Sequence, residues 1–118
     1  MAAPAAGSVI LVPFPFSDLS HSKIRPALVL ADAGRGDWIL CQITSKPYAD
    51  ARAIRLDGPD FASGGLELTS YVRPAKIFTA NETLMIEKVG QLHADKLHMI
   101  LGVVAAATCL ARPRLSVG

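Results

Sequence analysis

The chain has 118 residues, 51% of them hydrophobic, and a formal net charge of +2. This length predicts one domain with an apolar core, and the hydrophobic fraction excludes an intrinsically disordered chain. The small positive excess permits contact with a polyanion, but it is not the dense basic patch of a dedicated duplex-DNA binder.

The cysteine pattern and the lengths of the apolar runs indicate the cellular compartment of the protein. Cys41 and Cys109 are the two cysteines of the chain, and neither has a second cysteine or a histidine at metal-ligand spacing. We therefore expect two buried, reduced thiols, no metal and no cofactor. The opening residues do not resemble a signal peptide, and the apolar stretch Met99–Ala111 is shorter than the roughly 20 residues that span a bilayer. A cytoplasmic protein without membrane contact is expected.

The first half of the chain predicts three strands. Ser8–Phe14 is an apolar run stopped by prolines, and the polar, serine-rich segment Phe16–Lys23 that follows is typical of a loop. Arg25–Ala31 and Trp38–Thr44 are the next two strands. The glycine-containing turn between them predicts that these two strands form a hairpin.

The second half predicts shorter strands. Ala53–Leu56 is a short strand, and Ser70–Thr79 is a longer one interrupted at Arg73 and Pro74 by a bulge or an edge position. The segment between these two strands is rich in turn residues and is read as a connection. Val89–Leu92 is the last predicted strand.

Apolar residues at helical spacing predict a helix over Ala94–Ala111, which Pro113 ends. Gly102 inside this helix costs about 1 kcal/mol relative to alanine, so close packing against a neighbour is expected there. Many short strands and one closing helix predict a mainly β protein, a partly open barrel, and not a sheet of βαβ units. We expect a leader over 1–6, a single domain over 7–111 and a tail over 112–118.

Polar residues are expected to meet at one rim of the sheet. If the second and third strands pair in antiparallel fashion, the start of one, Arg25, lies beside the end of the other, Thr44. Alternation places Gln42 and Thr44 on the face away from the core, and Ser45 and Lys46 follow directly. A guanidinium, hydroxyls and an ammonium in one place suit a phosphodiester. Each of these residues alone is more typical of a solvated surface, and only their expected convergence makes a functional site an equal alternative, so both interpretations stay open at this point.

Five blocks of the sequence resemble the MazF/PemK family of toxin endoribonucleases. They occur in the family order and at family-like spacing between Gly7 and about Leu110. These blocks are Gly7–Ser20, Lys23–Leu30 (KIRPALVL), Gln42–Lys46 (QITSK), Ser70–Thr79 (SYVRPAKIFT) and Lys88–Leu92. No single block is specific, but the ordered set is.

The resemblance implies an SH3-like barrel of the MazF/PemK/CcdB toxin type with a C-terminal helix, acting as a homodimer. It implies metal-independent cleavage of single-stranded RNA, with Arg25 and Thr44 as the catalytic pair. The implied partner is a cognate antitoxin that lays an acidic, amphipathic segment over the RNA groove, and operator DNA is bound only by the toxin–antitoxin complex. The residues expected to contact RNA are Ser17, Asp18, Ser20, His21, Ser22, Lys23, Gln42, Ser45, Lys46 and Arg73.

Two positions depart from the family pattern. His21 stands where glycine is common, and Ser8 stands where an acidic residue is frequent. Imidazole titrates near neutral pH, so His21 is either a proton shuttle or a solvated loop residue. Two other functions stay open: a non-catalytic toxin that grips DNA gyrase, and a module that only binds its antitoxin or operator DNA. The presence of both Arg25 and Thr44 argues against the gyrase-binding alternative.

Overall fold

A computed structural model describes residues 3–15, 22–46 and 51–110. Within these ranges the chain forms an antiparallel sheet and a C-terminal helix. The strands are β1 (Ser8–Pro15), β2 (Ser22–Gly34), β3 (Asp37–Thr44), β4 (Ile54–Leu56), β5 (Phe61–Gly64), β6 (Ser70–Asn81) and β7 (Glu87–Leu92), and the helix α1 spans Ala94–Leu110. Short 3₁₀ turns occupy Gly58–Asp60 and Glu82–Leu84.

The strand order across the sheet is β4-β6-β3-β2-β1-β7-β5, and every neighbouring pair is antiparallel. The prediction of a mainly β protein with one closing helix is confirmed. The predicted hairpin of β2 and β3 is present, and its turn holds Gly34, Arg35 and Gly36 at positive φ angles of 93°, 56° and 82°. Two of these three residues are glycines, which adopt positive φ angles without steric cost, and this is why the turn forms here.

Both faces of the central strands are buried. Side chains of successive residues point to opposite faces, so Val9 and Leu28 belong to one buried cluster while Ile10 and Val29 belong to the other. The larger cluster contains Val9, Leu28, Leu30, Cys41, Ile43, Ile54, Leu56, Phe61, Val72, Leu92 and Ile100. The smaller cluster contains Ile10, Val12, Ala27, Val29, Leu40, Ala80 and Met85.

The smaller cluster shows how strongly the sheet curls. Val12 on β1 and Ala80 on β6 share this cluster, although two strands separate β1 from β6 in the sheet. The sheet is therefore a half-barrel that folds over its own second face. Burial on both faces explains why β1 and β2 are continuous apolar runs and do not alternate between apolar and polar residues.

Strand β6 bulges where the sequence predicts an interruption. Its register against β3 changes between the pair Ile43 and Val72 and the pair Cys41 and Ile77. The extra residues include Pro74, which has no backbone N–H to donate to the ladder. The bulge carries the preceding Arg73 toward the side of the sheet on which Gln42 lies.

Strand β5 is the element that the sequence interpretation missed. It pairs with β7, and of its four residues only Phe61 is buried. Gly64 ends it at a φ of +64°, where an added Cβ would collide with the carbonyl oxygen of Val89. A single apolar residue followed by small residues carries no alternating pattern, so the segment is typical of a turn.

Helix α1 begins as predicted, at Ala94, and packs through Ile100. The neighbour expected against Gly102 is not found in the described part of the chain, because nothing lies within 4 Å of a Cβ built there. Cys41 is a buried, reduced thiol as predicted, whereas the side chain of Cys109 lies outside the described residues. No helix among the residues described combines the length and apolar character needed to cross a bilayer.

Candidate active site

Arg25 and Thr44 meet at one end of the β2–β3 hairpin. The register pairs Ala27 with Gln42, and the same register continued by two residues sets Arg25 opposite Thr44. Residues directly opposite each other in an antiparallel pair share a face of the sheet. Both residues are half-buried and line one cavity. The structure therefore brings together the two residues that the hairpin pairing predicts to converge.

This cavity has a volume of about 460 Å³ and opens at the ends of β2 and β3. Its walls come from β1, β2, β3, β7, the first residue of β6 and the segment before β6. Besides Arg25 and Thr44 it is lined by Leu11, Ile24, Pro26, Ile43, Ser45, Gly65, Leu66, Glu67, Leu68, Ser70 and Val89. Apolar walls with a few polar groups are typical of a site for an organic ligand.

The Thr44 hydroxyl is oriented by its own chain. The backbone N–H of Lys46 donates to Thr44 Oγ1 across 3.1 Å. A hydroxyl oxygen that accepts this bond still carries its own proton. Thr44 therefore retains a hydroxyl proton that it can donate to a ligand.

A second guanidinium lies on the same side of the sheet. Arg73 donates from Nη1 to Oε1 of Gln42 across 3.0 Å, and Gln42 shares its face with Thr44. Along β2, Lys23 lies two residues before Arg25 and shares its face too. Three cationic side chains on one face favour binding of a polyanion.

Arg55, unlike the cations above, is paired with a carboxylate at the surface. It donates from Nε to Asp57 Oδ1 across 2.9 Å at the surface. This hydrogen bond and the attraction of the carboxylate raise the pKa of Arg55 above its usual value. Arg55 does not line the cavity. It therefore offers a matched control for Arg25.

Apart from Gln42 and Arg73, which are hydrogen-bonded to each other, the predicted RNA-contact residues fall into three groups. Ser45 lines the cavity, and Lys23 and Lys46 are exposed beside it. Only the backbone of Ser22 is described. The remaining loop predictions, Ser17, Asp18, Ser20 and His21, lie outside the described residues.

The sequence interpretation missed the far wall of the cavity. Leu66, Glu67, Leu68 and Ser70 belong to it, together with Val89 on β7. The available signal was a charged residue between two leucines, directly after two glycines and before a predicted strand. This pattern alone does not show that the segment reaches the cavity.

The curled sheet, its closing helix and a cavity lined by an arginine–threonine pair define a half-barrel protein of the toxin type. Residues 5–107 match the family model described as the PemK-like, MazF-like toxin of type II toxin–antitoxin systems. The chain belongs to this family, and the resemblance seen in the sequence blocks is confirmed. A search of curated protein sequences found no match.

Solved structures have the same fold. An endoribonuclease from a mycobacterial species superposes with a TM-score of 0.68 at 21% identity, covering 96% of this chain and 98% of that one. A mycobacterial endoribonuclease in complex with its cognate antitoxin gives 0.64 at 20% identity, covering 96% and 98%. The MazE–MazF complex of Deinococcus radiodurans gives 0.71 at 21% identity, covering 92% and 97%. These similarities establish the toxin-type fold.

Proposed function

We propose that this toxin is a metal-independent endoribonuclease that cleaves single-stranded RNA, above all mRNA, at short sequences. The observation that carries the proposal is the position of Arg25 opposite Thr44 at the opening of the cavity. The family membership supports it, and so do the structural neighbours that are named endoribonucleases. A cytoplasmic location follows from the proposed substrate.

The proposed chemistry uses a nucleophile that RNA itself carries. The ribose 2′-oxygen attacks the adjacent phosphorus, the bond from phosphorus to the 5′-oxygen breaks, and the products carry a 2′,3′-cyclic phosphate and a 5′-hydroxyl. The reaction needs removal of the 2′-hydroxyl proton, stabilisation of the phosphorane charge and a proton for the leaving oxygen. No metal or cofactor takes part in these steps.

Arg25 suits charge stabilisation. Its guanidinium can bind two phosphate oxygens in a planar fork, and it keeps its proton at neutral pH, so it is a poor base. Thr44 donates to a non-bridging oxygen, because its own oxygen is already held by the Lys46 N–H. In this proposal Ser45 or Lys46 holds an adjacent phosphate of the RNA strand.

The substrate and the chemistry are tested together in one assay. The purified protein is incubated with single-stranded RNA in excess EDTA, and both ends of each fragment are mapped. Fragments that end in 2′,3′-cyclic phosphate support the proposal. A requirement for added divalent metal contradicts it, and intact RNA indicates a non-catalytic toxin of the same fold.

A cognate antitoxin is the proposed protein partner. The solved complexes of relatives support this, since they pair MazF with MazE and an endoribonuclease with its antitoxin. The basic face that carries Arg25, Lys23 and Arg73 is complementary in charge to an acidic segment. Operator DNA is bound only by the toxin–antitoxin complex in this proposal.

A homodimer is the proposed assembly. Of the described side chains of α1, Ile100 alone is fully buried, and Met99 is 46% exposed although the helix is largely apolar. An apolar helix that one chain leaves uncovered favours burial against another surface. Sedimentation of the parent protein and of Met99→Lys tests this, and the variant is expected to shift toward the monomer.

A further inference from the structure

Tyr71 on β6 stands directly opposite Thr44 on β3. The adjoining pair of the same ladder, Ile43 and Val72, belongs to the larger buried cluster. Because successive side chains along a strand point to opposite faces, Tyr71 and Thr44 share the other face of the sheet. Residues directly opposite in an antiparallel pair have Cβ atoms about 4.5–5.5 Å apart, so the Tyr71 ring is the cross-strand neighbour of the Thr44 hydroxyl.

The guanidinium of Arg25 lies on the same face. Strand β1 pairs Arg25 with Val12, and Val12 belongs to the smaller cluster, as does Ala27 two residues further along β2. In the register of β2 and β3, continued by two residues beyond Ala27, Arg25 stands opposite Thr44. Tyr71, Thr44 and Arg25 therefore form a row that runs across β6, β3 and β2.

Two further arginines flank Tyr71, and each has a hydrogen-bond partner within the protein. Arg55 stands opposite Tyr71 on β4 and donates to Asp57 Oδ1 across 2.9 Å. Arg73 lies two residues further along β6 and donates to Gln42 Oε1 across 3.0 Å. The Tyr71 hydroxyl, in contrast, makes no hydrogen bond with any residue that the structure describes. The phenol of Tyr71 is therefore available to a ligand.

The backbone of Tyr71 is held on both sides, whereas its side chain is half-buried. At this residue β6 pairs with both β3 and β4. A tyrosine side chain has only two rotatable angles to order, so it gives a large contact area at a low cost in conformational entropy. Bases of single-stranded nucleic acids stack on aromatic side chains placed in this way.

The order of groups along the row matches the order of groups in a nucleotide. A guanidinium and a hydroxyl suit a phosphate, and one sugar separates that phosphate from an aromatic base. The faces of an aromatic ring carry partial negative charge, so the Tyr71 ring does not attract the phosphate itself. The base beside a phosphate held by Arg25 and Thr44 is therefore the part of RNA that suits Tyr71.

We propose that Tyr71 is a stacking platform for the nucleobase beside the scissile phosphate, an inference that rests on the proposed function. Every base has an aromatic face, so this platform provides affinity with little preference for sequence. Stacking persists from the bound substrate to the transition state, so it contributes to binding and not to the chemical step. Tyr71 is therefore a substrate-binding residue, distinct in role from Arg25 and Thr44.

Binding of two hexamers isolates the contribution of the bases. Both are 2′-O-methylated, which blocks the nucleophile and prevents cleavage. One is an adenylate hexamer, and the other has the same phosphates but is abasic at every position. Fluorescence anisotropy measures their affinities for the parent, Tyr71→Phe, Tyr71→Val and Tyr71→Thr. Two variants lack the ring, so that a folding defect in one of them is not mistaken for the loss of a contact.

The variants without the ring are expected to bind the adenylate hexamer about 5- to 150-fold more weakly than the parent, the usual value of one stacked base. Their affinity for the abasic hexamer should equal that of the parent, which also shows that the fold is intact. Tyr71→Phe keeps the ring and should bind both hexamers like the parent.

Two binding results would overturn the platform. In the first, Tyr71→Val and Tyr71→Thr change the affinity for both hexamers by the same factor or not at all, which means that the ring contacts no base. In the second, Tyr71→Phe loses as much affinity for the adenylate hexamer as Tyr71→Val. The hydroxyl, and not the ring, would then make the contact.

Cleavage kinetics separate this inference from the proposed function. The binding result does not require that the protein cleaves RNA, and cleavage in EDTA stands even if Tyr71 contacts no base. With an RNA that is cleaved, Tyr71→Val should raise KM by the factor seen in binding and leave kcat within about threefold of the parent. A lowered kcat at an unchanged KM would contradict the inference, because Tyr71 would then act in the chemical step.

Discussion

Thr44 accepts a hydrogen bond from the Lys46 backbone N–H at 3.1 Å, while the strand register, continued by two residues beyond the Ala27–Gln42 pair, sets it opposite Arg25. One hydroxyl is therefore held by its own chain on the face of the sheet that also carries a guanidinium. The role of this hydroxyl can therefore be tested by comparing a substitution that removes it with one that keeps it.

Thr44→Ala and Thr44→Ser are expected to behave differently. Removal of one donor to the developing phosphorane charge costs about 100- to 1000-fold in rate, so alanine should lower cleavage by that factor. Serine keeps the hydroxyl and the bond from Lys46, and we expect it to stay within about tenfold of the parent. Single-turnover cleavage of one RNA measures both. A serine variant as slow as alanine would show that the hydroxyl is not the acting group.

Arg25→Lys keeps the charge but removes the planar fork. Lysine binds phosphate as a point charge without a bidentate contact, so we expect a loss of about 10-fold or more in single-turnover rate. Arg55→Lys is the matched control, since Arg55 pairs with Asp57 outside the cavity. The control should cleave like the parent. Equal losses in both variants would mean that general charge, and not a positioned guanidinium, drives the reaction.

The sequence was sufficient for the approximate convergence of Arg25 and Thr44, because two apolar runs joined by a glycine turn form a hairpin in which the start of one strand lies near the end of the other. The exact register also depends on two irregularities in the ladder, between Val29 and Ala31 and between Asp32 and Gly34, which the turn does not determine. Alternation places Cys41 inside and Gln42 outside without further information. The bulge at Arg73 was likewise predictable, since Pro74 cannot donate to a ladder.

The far wall of the cavity could not be predicted in the same way. Glu67 reaches the cavity because Gly64 turns the chain at a positive φ and Gly65 then bonds to Val89, which lies 24 residues further along the sequence. Contacts of that kind depend on the closure of the whole sheet. No local pattern around Glu67 encodes its distance from Arg25.

Gly102 gives a prediction on stability. It lies inside α1, nothing stands within 4 Å of an added Cβ, and its φ is not positive. Gly102→Ala should therefore raise the free energy of unfolding by about 0.5–1 kcal/mol, because alanine loses less backbone entropy in a helix. The reverse substitution at the exposed Ala105, Ala105→Gly, should lower the free energy of unfolding by a similar amount. Urea unfolding followed by circular dichroism measures both. A destabilised Gly102→Ala would instead reveal a partner surface that closes over this position.

Gly64 and Gly58 form a matched pair for the wall that carries Glu67. An added Cβ at Gly64 meets the Val89 carbonyl oxygen at a φ of +64°, whereas nothing lies within 4 Å of one at Gly58. Gly64→Ala should therefore lower the free energy of unfolding by more than about 1 kcal/mol, while Gly58→Ala should change it little. Because the collision pushes β5 away from β7, the anchor between Gly65 and Val89 should loosen as well. Urea unfolding of the parent, Gly64→Ala and Gly58→Ala, followed by circular dichroism, measures these differences. A Gly64→Ala variant as stable as Gly58→Ala would show that β5 accommodates the added Cβ without losing its pairing with β7.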